Sequence, residues 1–344
     1  MEATASVNGT GNAHKGEKES DMKRSVMAAV VVLAVSLTMG SAAQAAWSAD
    51  PVEVWTELGP DQVQSNKNVY YGGGVFDGLF YTGQLNYGPL AYDSVQTSGT
   101  AVVHGYELAP TNGGCKASVP IGDYIFWSSN DGAKGVSRLN SGWTGNVGPV
   151  NPGSNPEGLT TDGTYLFTNS DTTRNMICKY SIANEDNSFS LTQEFAVTID
   201  GALRFRGLSY YDGRIYVVDT SGNGIYEINA STGDYTLLGA HIGSGAYQVV
   251  RYSDELLVVG LDDMLTVYDF TDGVLGAGTA YNLNQGDLFG IGVLGNGTDV
   301  TSFWVTSATG EISYFAVAVP EPATMGLLGL GLAGLIARRR KQRT

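Results

Sequence analysis

The sequence has few of the side chains that usually carry chemistry: 3 histidines, 2 cysteines and only 15% charged residues in a chain of 344. Of the histidines, only His104 and His241 lie in the body of the chain. They are far apart in sequence, with no metal-ligand spacing around either, which argues against a zinc hydrolase. Basic charge is also scarce. Lys+Arg 19 against Asp+Glu 34 leaves −15, a field that repels phosphate backbones, so no nucleic-acid partner is expected. No Gly-x-Ser-x-Gly lies on a strand-to-helix turn, and Gly243-Ser244-Gly245 reads as a loop rather than a nucleophile. No glycine-rich loop opens a helix to cradle phosphate, and residues 46–318 show no helical periodicity, which disfavours helical solenoids. Neither Cys115 nor Cys178 sits in a Cys-x-x-Cys. In an oxidising compartment they form one disulfide or stay as two buried thiols, and the sequence leaves both readings open.

What the chain does contain is 42% hydrophobic residues, 47 glycines and 19 tyrosines, the composition of a globular, glycine-punctuated, strand-rich protein. Its two ends read as addresses. Met22 begins a secretion signal: Lys23 and Arg24 form the basic region, Val26 to Met39 the apolar run, and Ala43-Gln44-Ala45 the cleavage site, with cleavage after Ala45. That apolar run is too short to span a bilayer, which needs about 20 residues. Residues 1–21 are polar and aperiodic. They are read as a start assigned upstream of the true one, or as a disordered tail, ahead of a signal at 22–45.

At the other end, residues 319–344 hold Val319-Pro320-Glu321-Pro322, an apolar stretch from Ala323 to Ala337, and the basic run Arg338-Arg339-Arg340-Lys341-Gln342-Arg343. The prolines exclude helix locally, the apolar stretch suits a membrane helix, and the basic cluster halts translocation. At about 1.5 Å per residue the stretch reaches only about 22 Å, so its basic ends must snorkel to meet about 30 Å of hydrocarbon. In order and spacing this segment resembles the PEP-CTERM sorting signal. The resemblance implies entry through the Sec translocon, transient inner-membrane anchoring, and processing at Pro-Glu-Pro by an exosortase-type membrane protease, with a permanent single-pass tail anchor as the alternative. It further implies delivery to the cell surface or extracellular matrix of a Gram-negative bacterium, in the company of exopolysaccharide.

Between the ends, residues 46–318 repeat. Aromatic or β-branched runs recur at DGLFYTG (77–83), GDYIFWSS (122–129), DGTYLFTNS (162–170), DGRIYVVDT (212–220), DELLVVGL (254–261) and VTSFWVTS (300–307). With Phe80, Ile125, Tyr165, Ile215, Leu256 and Phe303 taken as equivalent, the intervals run from 40 to 50 residues. Second strands follow at 176–182, 224–229, 264–270 and 310–317, and Asp-Gly supplies the positive φ of tight hairpins. That period, with about four short strands per unit, predicts an all-β chain folded as a β-propeller of six blades, a seventh remaining open. Residues 47–74 then supply either an outer closing strand or part of that seventh blade. A pair of β-sandwiches is the competing architecture.

The unit 207–239 resembles NHL-type and gluconolactonase-like propeller repeats, and Pro156-Glu157-Gly158-Leu159 followed by Asp162-Gly163 is similar to their repeat start. The gluconolactonase resemblance implies a calcium-dependent hydrolase, with Glu157 and Asp219 as the positions that map to its metal ligands. Two carboxylates fall short of the six to eight oxygens calcium takes, and Asp219 reads more simply as a turn cap, so no cofactor is expected and calcium is the alternative. Glu185-Asp186-Asn187 and Asp262-Asp263 lack the spacing of a calcium loop and read as solvated hairpin tips. Trp127 and Trp304 lie in strand runs and belong to the core. Trp143, in the polar glycine loop 140–145, is the candidate for stacking on a ligand. The expected function is therefore that of an exported, non-catalytic surface or matrix protein that binds or scaffolds within exopolysaccharide.

Overall fold

The computed structural model describes residues 53–55, 70–76, 79–84, 88–93, 103–104, 116–122, 124–129, 132–137, 148–150, 156–169, 173–185, 188–295, 300–308 and 312–316. They fall in one unit, Trp47–Ala318, and every regular element among them is a strand. After β1 (Glu53–Trp55), the first sheet is β2 (Tyr70–Phe76), β3 (Leu79–Gln84), β4 (Gly88–Asp93) and β5 (Val103–His104). The second is β6 (Ser118–Ile121), β7 (Tyr124–Ser129), β8 (Gly132–Ser137) and β9 (Gly148–Val150). The third is β10 (Leu159–Thr161), β11 (Leu166–Asn169), β12 (Met176–Glu185) and β13 (Ser188–Thr198). The fourth is β14 (Phe205–Tyr211), β15 (Arg214–Asp219), β16 (Gly224–Asn229) and β17 (Tyr235–Ala240). The fifth is β18 (Ala246–Tyr252), β19 (Glu255–Gly260), β20 (Met264–Thr271) and β21 (Val274–Asn282). The sixth is β22 (Leu288–Gly295), β23 (Val300–Ser307) and β24 (Ile312–Ala316), with β1 as its outermost strand.

The repeating runs of the sequence are the second strands of these sheets, and the runs that follow them are third strands. Each first strand packs against the first strand of the next sheet, and β22 returns to β2, so the fold is a β-propeller. The stretch between residues 47 and 74 contributes an outer closing strand: Val54 of β1 lies opposite Ser313 of β24 in antiparallel register. Asp212-Gly213, between β14 and β15, has φ values of 46° and 75°, and Asp272-Gly273, between β20 and β21, has 54° and 77°. Positive φ at both central residues is the primed hairpin turn that Asp-Gly favours. Asp162-Gly163 works differently, because Asp162 Oδ1 accepts from the backbone N–H groups of Thr164 and Tyr165.

The core lies between sheets rather than inside any one of them. Phe167 and Ile177 of the third sheet pack on Phe205, Leu208 and Ile215 of the fourth, and Tyr216 and Val218 of the fourth on Leu256, Val258 and Phe270 of the fifth. Where the sixth sheet meets the first, Phe80 stacks on Trp304 with centroids 5.4 Å apart and planes 8° from parallel. A lone four-stranded sheet cannot cover both its faces, so each depends on its neighbours. Trp127 and Trp304 are fully buried.

Candidate functional site

The six first strands surround a central channel of about 220 Å³, lined by Val75, Ser118, Leu159, Ser209, Gln248 and Ile291, one residue from each strand. Two glycines let these strands approach. A Cβ on Gly158 would lie 2.2 Å from the carbonyl oxygen of Arg206, and one on Gly207 would lie 2.6 Å from Cβ of Gln248. Gln248 uses the contact further, since its Oε1 accepts from the backbone N–H of Ile291 and ties the fifth sheet to the sixth.

Charge collects where these first strands begin. Glu157 stands just ahead of β10, Lys116 just ahead of β6, Arg204 just ahead of β14 and Arg206 within it. The Glu157 side chain is 5% exposed. Its Oε1 accepts from Arg204 Nη2 at 2.6 Å and from Lys116 Nζ at 3.5 Å, and its Oε2 lies 3.6 Å from Arg206 Nε without receiving a hydrogen bond. Cations from the second and fourth sheets thus grip one carboxylate of the third. The backbone beneath is fixed too. Asn169, at the end of β11, accepts from the N–H groups of Glu157 and Gly158 at 3.1 and 2.7 Å and donates to the carbonyl of Phe205 at 2.6 Å. Asp219, at the end of β15, accepts from the N–H groups of Leu203, Arg204 and Ser221. Arg206 lies over the ring of Tyr247 at 5.0 Å and donates to its hydroxyl, and Tyr247 meets Phe289 edge to face at 4.9 Å.

The two sequence-derived metal candidates therefore meet at Arg204, Asp219 through its backbone and Glu157 through its guanidinium. Neither is arranged as a cation ligand: three cations surround Glu157, and both oxygens of Asp219 accept backbone N–H groups. Among the described residues, no group of three or more His, Cys, Asp or Glu could hold a metal ion. Lys116, Arg204, Arg206 and Asn169 escaped the sequence reading. The available signal was scarcity, since only ten basic residues lie between 46 and 337 and three of them precede or begin first strands that ring closure brings together.

At the channel's other end, Arg251 lies 4.8 Å from the Phe270 ring and 5.1 Å from that of Tyr211, and it donates from Nη1 to the Tyr216 hydroxyl at 2.5 Å. Tyr216 donates in turn to Glu227. Burial pushes the Tyr216 phenol up to about 12; Arg251 opposes the shift and Glu227 adds to it.

His241 is buried, with Nδ1 2.9 Å from the Tyr268 hydroxyl. Burial pushes its pKa below the ordinary 6.5, against a smaller upward pull from Asp262. Gly243-Ser244-Gly245 is a loop tied down by Asp262, whose Oδ2 accepts from the Ser244 N–H. Asp263 Oδ1 likewise accepts from the Gln285 N–H, so the Asp262-Asp263 pair, read from sequence as a solvated tip, pins two loops. Cys178 is a free, buried thiol whose pKa burial pushes up. Cys115, His104's side chain, Trp143, Asp186, Asn187, the signal residues Ala43 and Ala45, and the sorting residues Val319, Pro320, Glu321, Pro322, Arg338, Arg339 and Arg340 lie outside the described residues. Among the described residues, no helix is long and apolar enough to cross a membrane.

Comparison with known proteins decides the C-terminus. Residues 318–341 are a PEP-CTERM protein-sorting motif. Such a motif marks a protein exported and sorted by an exosortase-type system. No curated protein matches the chain by sequence. Among solved structures, a chain of the mitotic checkpoint complex is similar at TM-score 0.52 and 10% identity, over 79% of this chain and 93% of that one. The WD40 β-propeller domain of Doa1 is similar at TM-score 0.50 and 14% identity, over 70% of this chain and 75% of that one. At these identities the likeness concerns the fold alone, and it is a propeller's.

Proposed function

We propose that this PEP-CTERM protein is a non-catalytic propeller displayed at the cell surface or in the extracellular matrix of a Gram-negative bacterium, where it binds or scaffolds exopolysaccharide. One observation carries the reading: the sorting motif begins at residue 318, directly after β24 ends at Ala316. The chain is thus a propeller with a delivery signal attached to its last sheet. The commitment of Glu157 and Asp219 to internal partners supports a binding role over a metal-dependent hydrolase.

The test is intact mass with terminal peptides, measured on protein recovered separately from the membrane and extracellular fractions of the native host, together with cosedimentation of that protein with host exopolysaccharide. The expected protein begins after Ala45, lacks the residues beyond Pro-Glu-Pro, and sediments with the polysaccharide. Extracellular protein that retains Arg338 to Thr344, or that stays in the supernatant, would overturn the reading.

A further inference from the structure

We infer that the channel mouth formed by Lys116, Glu157, Arg204 and Arg206 is a binding site for an acidic sugar, a ring that carries a carboxylate beside a hydroxyl. The inference rests on the exported-binder reading and gives that reading a place and a ligand class.

Three of the ten basic residues between 46 and 337 converge on this one spot, in a segment that carries thirty acidic residues. Their three side chains are 12 to 22% exposed, so part of each faces out of the cluster. Guanidinium and ammonium groups bring many N–H donors and no acceptor, the equipment for a carboxylate. The opposite demand comes from Glu157. Its Oε2 is buried, belongs to a side chain 5% exposed, and receives no hydrogen bond, so it calls for a donor.

These two demands select the ligand. A simple anion without a hydroxyl, such as sulfate, would suit the cations and be repelled by Glu157. A neutral sugar would give Oε2 its donor and draw little from the cations. A uronate offers both, its carboxylate to the Lys116 and Arg side and an adjacent hydroxyl to Oε2. Lys116, whose contact to Glu157 Oε1 is the longer of the two hydrogen bonds at 3.5 Å, is the group that turns to the sugar carboxylate, and Arg206 Nε, 3.6 Å from Oε2 without bonding it, leaves that oxygen to the hydroxyl. Apolar surface stands beside the polar groups. Arg206 lies over the ring of Tyr247, and the partly exposed Phe289 packs on Tyr247, so a sugar ring has carbon to lie against. The site is also preorganised, because Asn169 and Asp219 hold the backbone on which Glu157 and Arg204 are mounted.

The test is calorimetric titration of the full chain in detergent with D-glucuronate, D-glucose, inorganic sulfate and a glucuronate oligomer. Glucuronate is expected to bind at least about tenfold more tightly than glucose or sulfate. Lys116→Gln, with a melting profile like the parent's, is expected to lose about tenfold, and Glu157→Gln to lose more if it folds. Tighter binding of the oligomer identifies a polysaccharide chain as the source, equal binding a free sugar acid, and either supports the site. Equal binding of glucose and glucuronate, or undiminished glucuronate binding by folded Lys116→Gln, would overturn it. If the chain sediments with exopolysaccharide yet binds no uronate, the mouth site falls and the broader reading stands; loss of both removes both.

Discussion

Arg204 donates from Nη2 to Glu157 Oε1 at 2.6 Å, and the bond crosses from the fourth sheet to the third. The acceptor is nearly enclosed and the donor is 22% exposed, so removing each partner should have a different cost. Glu157→Ala strands its cations beside a cavity and is expected to lower unfolding stability by about 3 kcal/mol. Arg204→Met leaves Lys116 and Arg206 beside the carboxylate, and water reaches the gap, so its expected cost is about 1 kcal/mol. Urea unfolding of the two variants checks the order, and equal losses would mean that the contact does not join the sheets as described.

Gly158 makes a sharper test of ring packing. A methyl there would press on the Arg206 carbonyl at 2.2 Å and on Leu208 at 2.4 Å, where β14 closes on the start of β10. Gly158→Ala is expected to cost about 2–3 kcal/mol through overpacking. Gly163→Ala meets nothing within 4 Å and pays only for its φ of 88°, about 1 kcal/mol. A melting difference of several degrees between the two variants is the readout.

Mild acid should weaken the fold. His241 has its pKa held below 6.5 by burial, so at mildly acidic pH the unfolded chain binds a proton that the folded chain refuses. The stability it contributes is therefore present above about pH 6.5 and is lost as pH falls toward the depressed value. His241→Gln should flatten the stability profile as pH falls below about 6.5. An unchanged slope in that window would remove His241 as its cause.

Cys178 should be silent until the fold opens. Burial both raises its thiol pKa and blocks reagents, so in a Cys115→Ser variant an aromatic disulfide reagent at mildly alkaline pH should find no reactive thiol in native protein and one after denaturation. Rapid reaction in the native state would contradict the packing around β12.

The parts of the fold that were legible in the sequence were those whose residues announce themselves locally. β15 and β19, reading RIYVVD and ELLVVG, are buried along nearly their whole length and show as apolar runs. The outer strands β17 and β21 are mostly exposed and lack the unbroken Ile/Val-rich run of β15 and β19, and the first strands are interrupted by the glycines that let neighbours close in. The site divides in the same way. Glu157 was singled out by its Pro-Glu-Gly setting, but Lys116 and Arg204 lie 41 and 47 residues from it, in unremarkable positions. Only the ring brings them to the same carboxylate, and that changes its reading from cation ligand to anchor among cations.

The closing strand gives export an order of events. β1 lies only a few residues beyond the expected signal cleavage site after Ala45, and its hydrogen-bonding partner β24 ends directly before the sorting motif. A chain threaded through a membrane from its N-terminus delivers β1 first and must leave it unpaired until the entire body has followed. Sheet six is then complete only once β24, the last strand before the sorting motif, has followed. A chain halted anywhere upstream of β24 would keep the edge of β1 unpaired.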